Sequence, residues 1–380
     1  MNIPEHLERW VAANLIDRVT ADRILRFEKD ASKEGLRWPA ILAIGFGALM
    51  LCAGILLFVA AHWDRLSPAE RFALVLAMVA SFHLAASWTG VKSPWLGMAL
   101  HVAGTVCLGA GIYMAGQIFN LEEHWPGGIM LWALGAALAW LVLRQWPQAL
   151  LASVLIPWWL VGEWDVATEV YRGPAWNIAS QGLLLLAIFY ISASPRVSDR
   201  ALRLGLVWVG GLSLIPAIGD VMFTGDSSTW YYIATRAASL PSSLALLGYA
   251  TAYLPVLLLA LLIRKNRSLS MFAAAVWVVL LGVVSRQPRP EHSPATYLVI
   301  GLGACAFCYW GVQENRKLFI NLGTAIFALD VISFYFSDVL DKLDRSLGLI
   351  LLGALFLAGG WLLNRVRGRL IERAASGGTL

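Results

Sequence analysis

Long apolar stretches alternate with short polar breaks from Trp38 onward, and this alternation limits the possible folds most strongly. A hydrocarbon core about 30 Å thick needs roughly 20 apolar helical residues to cross it, and backbone groups inside it must be bonded within the segment. The sequence therefore predicts an all-α, polytopic membrane protein with 11 or 12 transmembrane helices. The predicted spans cover residues 38–62, 71–88, 95–119, 127–143, 147–161, 174–191, 201–222, 240–263, 270–284, 295–312, 319–336 and 347–363.

Two of these spans, 147–161 and 270–284, are short for a full crossing. Losing either one from the count would invert the orientation of every span that follows it. The count of twelve therefore depends on both segments.

The composition excludes soluble classes of protein. Hydrophobic residues make up 59% of the chain and charged residues only 14%, whereas a soluble domain carries about 25% charged residues. Soluble enzymes and nucleic-acid-binding modules are excluded, so no nucleic-acid partner is expected. The sequence has no phosphate loop, nucleophile elbow or zinc-protease motif, so we expect no metal or cofactor, and binding is favoured over catalysis.

Polar segments flank the predicted membrane domain of residues 38–364. Residues 1–37 are predicted to form a cytoplasmic helical hairpin, with Leu7, Trp10 and Val11 on one stripe and Thr20 capping the second helix. The stripes could pack on each other, on the membrane surface or on a protein partner that binds residues 1–34. Residues 365–380 form a basic tail.

The placement of charge predicts the orientation. With the N-terminus inside and twelve spans, 21 of the 29 Lys and Arg residues fall on the cytoplasmic side, as the positive-inside rule requires. Both termini are then cytoplasmic, and their basic clusters favour anionic lipid at the inner surface. The outer side is acidic and rich in tryptophan, which suits a cation, a sugar or a lipid headgroup, although tryptophan belts also occur at membrane interfaces whatever the function.

The densest group of polar residues is expected where the first and third spans end on the outer face. Its members are candidates for binding a substrate or an ion, because carboxylates beside histidines supply an acid and a base or a cation site. They are His62, Asp64, Gln117, Asn120, Glu122, Glu123 and His124. Asp330 is a further candidate, since it lies within the eleventh predicted span and an ionisable group at membrane depth is costly.

Two other patterns have structural as well as functional interpretations. His83 and His101 are adjacent if their spans form a helical hairpin, but a metal site needs a third ligand and none is evident. Pro157, Pro216 and Pro255 interrupt predicted spans and would free backbone carbonyls to line a cavity.

The chain resembles the predicted bacterial membrane proteins grouped as domain of unknown function 2157. The resemblance rests on RWVAANLIDRVTADRILRFE, GILLFVAAHWDRLSPAERFAL and GQIFNLEEHWPGGIMLWALGAALAW in the first ~165 residues and on the segment that begins RKLFINLGTAIFALDVISFYF in the last ~65. It implies a bacterial inner-membrane protein with a small cytoplasmic N-terminal region, and it implies no activity.

The leading functional hypothesis is an inner-membrane protein that binds or translocates a small solute or a lipid-linked molecule. One alternative is a membrane-embedded transferase acting on a lipid carrier at the periplasmic face, with Asp64 or Glu123 as base or metal ligand. The other is a scaffold or sensor that acts through the N-terminal hairpin.

Overall fold

The computed structural model describes residues 3–31, 67–118, 124–193, 199–223, 240–285 and 294–336, with short helical pieces in 46–54 and 353–369. These parts of the chain are helical and contain no strand, which confirms the all-α prediction. The helices are α1 (Ile3–Ala12), α2 (Arg18–Ala31), α3 (Pro68–Gly90), α4 (Pro94–Ile118), α5 (Trp125–Leu143), α6 (Trp146–Ala167), α7 (Arg172–Ser192), α8 (Arg200–Phe223), α9 (Ser242–Arg264), α10 (Leu269–Ser285), α11 (Pro294–Gln313) and α12 (Lys317–Phe334).

Ten of the twelve predicted spans coincide with α3 to α12. Within the described residues, nine helices are long and apolar enough to cross a membrane, and α10 is a shorter apolar helix. The first and last predicted spans lie mostly outside the described residues, so the total of twelve stays a prediction. Of the two doubtful spans, α6 has 22 residues and α10 has 17, and 17 residues of helix rise about 25 Å.

The chain divides into two compact units, residues 1–123 and 124–380. In the first unit, α1 ends at a turn in which Asn14 adopts positive φ and Leu15 N donates to Trp10 O. The cap of α2 differs from the prediction: Asp17 precedes the helix and accepts from Thr20, while Thr20 lies in the first turn. The hydroxyl of Thr20 lowers the pKa of Asp17, because an N-terminal cap favours the charged carboxylate.

Helices α3 and α4 pair closely in the same unit. Ser67 and Glu70 form a capping box at the start of α3. A Cβ atom on Gly97 would lie 2.6 Å from Gly90 Cα, so only glycine permits this approach of the two backbones. Gly97 is therefore a packing residue, as expected for a small residue between membrane helices.

In the second unit, α7 is the central helix. It contacts α6, α8, α9 and α10, and 67% of its span is buried, more than for any other described span. Leu184, Leu185 and Ile188 of α7 are fully buried in the hydrophobic core that α8 to α12 complete. Polar residues on α7 are therefore enclosed by protein.

The charged residues of the second unit gather at two opposite ends of its antiparallel helices. One end contains the first residues of α5 and α7 and the last residues of α6 and α8. We call it the acidic end. It carries Glu163, Asp165 and Asp220. The basic end contains the last residues of α7, α9 and α11 and the first residues of α8 and α12. It carries Arg200, Arg203, Arg264, Arg267 and Arg316.

Candidate functional site

The predicted outer cluster is described only in part. His124 precedes α5, and its Nε2 lies 2.9 Å from Glu163 Oε2 on α6. Trp159 Nε1 donates to the same carboxylate at 2.9 Å. Five predicted members lie outside the described residues: His62, Asp64, Asn120, Glu122 and Glu123. Gln117 lies in α4, but its side chain is not described, so the convergence of the cluster stays a prediction.

Asp330 is half-buried on α12 and faces α11. A Cβ atom on Gly301 would lie 3.6 Å from its Oδ2, and its Oδ1 is buried with no hydrogen-bond partner among the described residues. Asp330 lines none of the four cavities reported below. The structure thus places it in a notch between two helices, and its function is untested.

His83 and His101 do meet, with their Nδ1 atoms 2.9 Å apart. In this hydrogen bond one imidazole ring must donate and the other must accept. The two rings therefore cannot both be in the doubly protonated, charged form while the bond persists. Gly104 makes room for the His83 ring, because a Cβ there would lie 2.9 Å from it. Among the described residues, no three His, Cys, Asp or Glu side chains group as a metal site, and the pair is a contact between α3 and α4.

A polar site that the sequence analysis did not identify lies on α7, at the acidic end. Asp220 of α8 accepts a short hydrogen bond from the hydroxyl of Ser180. It accepts a second from Trp176 Nε1 at 3.3 Å. No described Lys or Arg forms an ion pair with Asp220. A carboxylate within a predicted span is therefore held by two neutral donors.

A second polar chain begins one residue further along α7. Gln181 Nε2 donates to Asn177 Oδ1 at 2.7 Å, and Tyr253 of α9 donates to Gln181 Oε1 at 2.7 Å. Asn177 and Gln181 are 4% and 1% exposed. Gly282 of α10 leaves space for Gln181, since a Cβ there would lie 2.1 Å from its Nε2. This chain fixes the rotation of α7, and with it the direction in which Ser180 faces.

A cavity of about 730 Å³ opens beside Asp220, between α6, α7 and α8. Asp165 and Asp220 line it at the acidic end, and Ser153 and Tyr190 line it nearer the basic end. Ser153 and Asp165 are twelve residues apart on α6, which corresponds to about 18 Å of helix. The wall is largely apolar and includes the indoles of Trp125, Trp158 and Trp176. We call this cavity the acidic groove.

Proline shapes the groove as the sequence analysis predicted. Pro157 lies inside α6 and has no N–H to donate to Ser153 O. Tyr190 donates its hydroxyl to this freed carbonyl at 2.6 Å. Tyr190 and Ser153 also line an apolar cavity of about 450 Å³ that reaches α9, so their hydrogen bond lies between the two spaces.

The signal for this site was present in the sixth predicted span. Trp176, Asn177, Ser180 and Gln181 have the spacing i, i+1, i+4 and i+5, which places them on neighbouring faces of one helix. Sequence reasoning concentrated on charged residues and passed over these neutral ones. The structure places Asp220 with Glu163 and Asp165 at one end of the second unit.

Comparison with known proteins assigns the N-terminal part of the chain. Neither a curated protein nor a solved structure matches it. Residues 8–149 match the model of a family described as predicted membrane protein (DUF2157). The match confirms the resemblance over most of the first ~165 residues, and the resemblance of the last ~65 residues stays a prediction. Residues 8–149 are therefore the segment over which this chain is similar to the predicted membrane proteins of domain of unknown function 2157.

Proposed function

We propose that this multi-pass membrane protein binds a hydrophobic organic cation in the acidic groove, with Asp220 as the counterion. The observation that carries the proposal is a hydrogen-bonded carboxylate in a largely apolar, tryptophan-lined cavity, with no described Lys or Arg paired with it. An unpaired charge in such surroundings is costly. A bound cation removes that cost.

The hydrogen bonds of Asp220 favour a ligand that approaches from the groove. Ser180 donates to Oδ2 and Trp176 to Oδ1, so both oxygens are positioned before a ligand arrives. At an effective dielectric constant of about 20, two unit charges 4 Å apart attract by about 4 kcal/mol. An indole face adds about 0.5–2 kcal/mol for a cation placed over it. Asp165 supplies a second negative charge at the mouth of the groove.

The apolar length of the groove selects against small inorganic cations. The wall between Asp165 and Ser153 includes Pro157, Trp158 and Val161, which offer no oxygen side-chain ligands to a desolvated metal ion. A cation with an attached hydrophobic body satisfies both the carboxylate end and the apolar wall. The ligand class is accordingly an amphipathic cation, and it includes a lipid-linked amine.

The orientation follows from the positive-inside rule. The basic end of the second unit is placed at the cytoplasmic face, and the acidic groove then opens toward the periplasmic side of a bacterial inner membrane. Residues 1–37 and the tail 365–380 are cytoplasmic in this arrangement. A reporter fused after residue 380 and another fused within 224–239 should report opposite sides. A protein partner for residues 1–34 stays a prediction.

The test compares two probes of nearly equal size and opposite charge, tetraphenylphosphonium and tetraphenylborate. Purified protein in lipid nanodiscs should bind the cation in preference to the anion. Asp220→Asn should weaken binding of the cation at least tenfold, which corresponds to about 1.4 kcal/mol. The matched control is Asp199→Asn, which removes one exposed carboxylate at the basic end and should change the affinity less than twofold.

Two results would refute the proposal. One is equal affinity of the wild-type protein for the two probes. The other is unchanged cation affinity in an Asp220→Asn variant that unfolds at the wild-type temperature. If that variant does not fold, Asp165→Asn provides the second measurement, with an expected loss of about threefold.

A further inference from the structure

Four of the five arginines at the basic end of the second unit have different surroundings. Arg203 begins the second turn of α8, Arg264 ends α9, Arg267 follows α9, and Arg316 precedes α12. A cavity of about 450 Å³ lies among the first three of them. The ligand that the cavity can bind depends on which of these arginine side chains are already paired with acceptors of the protein.

Arg264 and Arg316 are fully engaged by the protein. Arg264 forms a short ion pair with Glu314 and also donates to Ser192 O at 2.9 Å. Arg316 donates to the carbonyls of residues 191–193 at the close of α7, where a cation is favoured by the helix dipole. Burial lowers the pKa of Arg316, an effect that Glu314 opposes and Arg264 reinforces. These two arginines hold α7, α9 and α11 together.

The side chain of Arg203 is largely buried, and its ion pair within the described residues is long. Its side chain is 14% exposed, and its nearest carboxylate is Asp199, with Nη2 and Oδ2 3.8 Å apart, beyond hydrogen-bond distance. Its Nε is buried and has no hydrogen-bond partner among the described residues. The Nε–H of Arg203 thus loses its hydration without gaining an acceptor among the described residues. The guanidinium lines the cavity, where its long ion pair leaves it able to bind an anion.

The cavity walls indicate the kind of acceptor. Arg203 and the exposed Arg267 supply positive charge. Two carboxylates also line the cavity: Glu314 is paired with Arg264, and Asp199 lies 3.8 Å from Arg203. Phe189, Leu202 and Ile263 supply an apolar side. Guanidinium groups bind phosphate oxygens in forked hydrogen bonds. The position at the ends of apolar helices is the level at which lipid headgroups lie.

We propose that this basic-end cavity binds a phosphate group through Arg203 and Arg267. The phosphate can belong to an anionic phospholipid or to a water-soluble phosphate. The proposal is independent of the acidic groove, because it involves the opposite ends of the helices and a ligand of opposite charge.

The experiment measures retention of phosphatidylglycerol by native mass spectrometry, with inorganic phosphate tested separately by thermal unfolding in detergent. Arg203→Gln should reduce bound phosphatidylglycerol about tenfold. The matched control is Arg200→Gln, an equal change of charge one turn away on the exposed start of α8, which lines no part of the cavity. It should change retention less than twofold.

Stability without lipid separates binding from a structural role. In lipid-free detergent, Arg203→Gln should unfold no earlier than the wild type, because it removes a largely buried charge whose ion pair with Asp199 is long. Phosphatidylglycerol should raise the unfolding temperature of the wild type and not that of the variant. Stabilisation by inorganic phosphate, lost in Arg203→Gln, would support the site with a soluble ligand.

The proposal is overturned if Arg203→Gln retains lipid as the wild type does and neither phosphate source stabilises the wild-type protein selectively. If Arg203→Gln does not fold, Arg267→Gln tests the same cavity from its exposed side, with an expected loss of about threefold in retention. An equal loss in Arg200→Gln would also overturn it, since general surface charge would then account for the binding.

Discussion

Two adjacent glycines of α8 provide a direct test of how α7 and α8 pack. A Cβ atom added at Gly210 would lie 2.6 Å from Ala187 O and 2.9 Å from Ile191 N, both backbone atoms of α7. A Cβ atom added at Gly211 would meet nothing within 4 Å. Both substitutions to alanine gain the same helix propensity, about 1 kcal/mol. The difference between them therefore isolates the contact with α7.

The magnitude follows from the distances. Ordinary contact begins at 3.4 Å, so Gly210→Ala must move the two backbones apart from 2.6 Å by most of an ångström. Overpacking of this kind costs about 1–3 kcal/mol. After the gain in propensity, Gly210→Ala should be destabilised by about 1 kcal/mol and Gly211→Ala stabilised by up to about 1 kcal/mol.

The assay is equilibrium unfolding of each variant in mixed micelles, at one lipid composition. The two variants should differ by about 2 kcal/mol, with Gly211→Ala the more stable. Equal stability of the two proteins, within about 0.5 kcal/mol, would show that the α7 backbone does not lie against Gly210. The position of Asp220 relative to Ser180 would then also be wrong, because the same pair of helices holds both.

Two further predictions concern the contacts of α7 and α9. Glu314→Gln leaves Arg264 buried without its carboxylate and should lower the free energy of unfolding by about 3–5 kcal/mol. A smaller loss of stability in the double variant with Arg264→Gln would confirm that the two residues are coupled. Additive losses would contradict the coupling. Tyr190→Phe removes the hydroxyl that donates to Ser153 O and should lower the free energy of unfolding by about 1–2 kcal/mol. In a Pro157→Ala background the helix supplies its own N–H, so the same change should cost less, and an unchanged cost would show that the freed carbonyl is not the partner.

Hydropathy predicted the helices well because the length of an apolar stretch is a local property. The ten spans that coincide with described helices could be predicted without knowing how the helices pack. Span 147–161 was predicted to be short, whereas the structure continues α6 to Ala167, beyond Glu163 and Asp165. The polar residues at that end remain in the helix and line the acidic groove.

The site was less predictable because α7 is enclosed by four neighbours. An amphipathic helix at a surface shows its buried side in its sequence, but the polar residues of α7, such as Ser180 and Gln181, are themselves buried. Sequence therefore did not show whether Gly210 or Gly211 met another helix, or that Ser180 faced Asp220. The cap of α2 was misplaced for a different reason, since Asp17 and Thr20 are both good capping residues and only the helix start distinguishes them.

Asp330 and Asp220 are both carboxylates within predicted spans, and their surroundings differ. Asp330 lies thirteen residues into α12 from the basic end, which corresponds to about 20 Å of helix, so it too lies nearer the acidic end. This placement lowers the cost of burying a carboxylate for both residues. Only Asp220, however, has donors on both oxygens and an adjacent cavity that can admit a ligand. Charge at membrane depth therefore identified both residues as candidates, whereas hydrogen bonding and open space favour Asp220 as the binding residue.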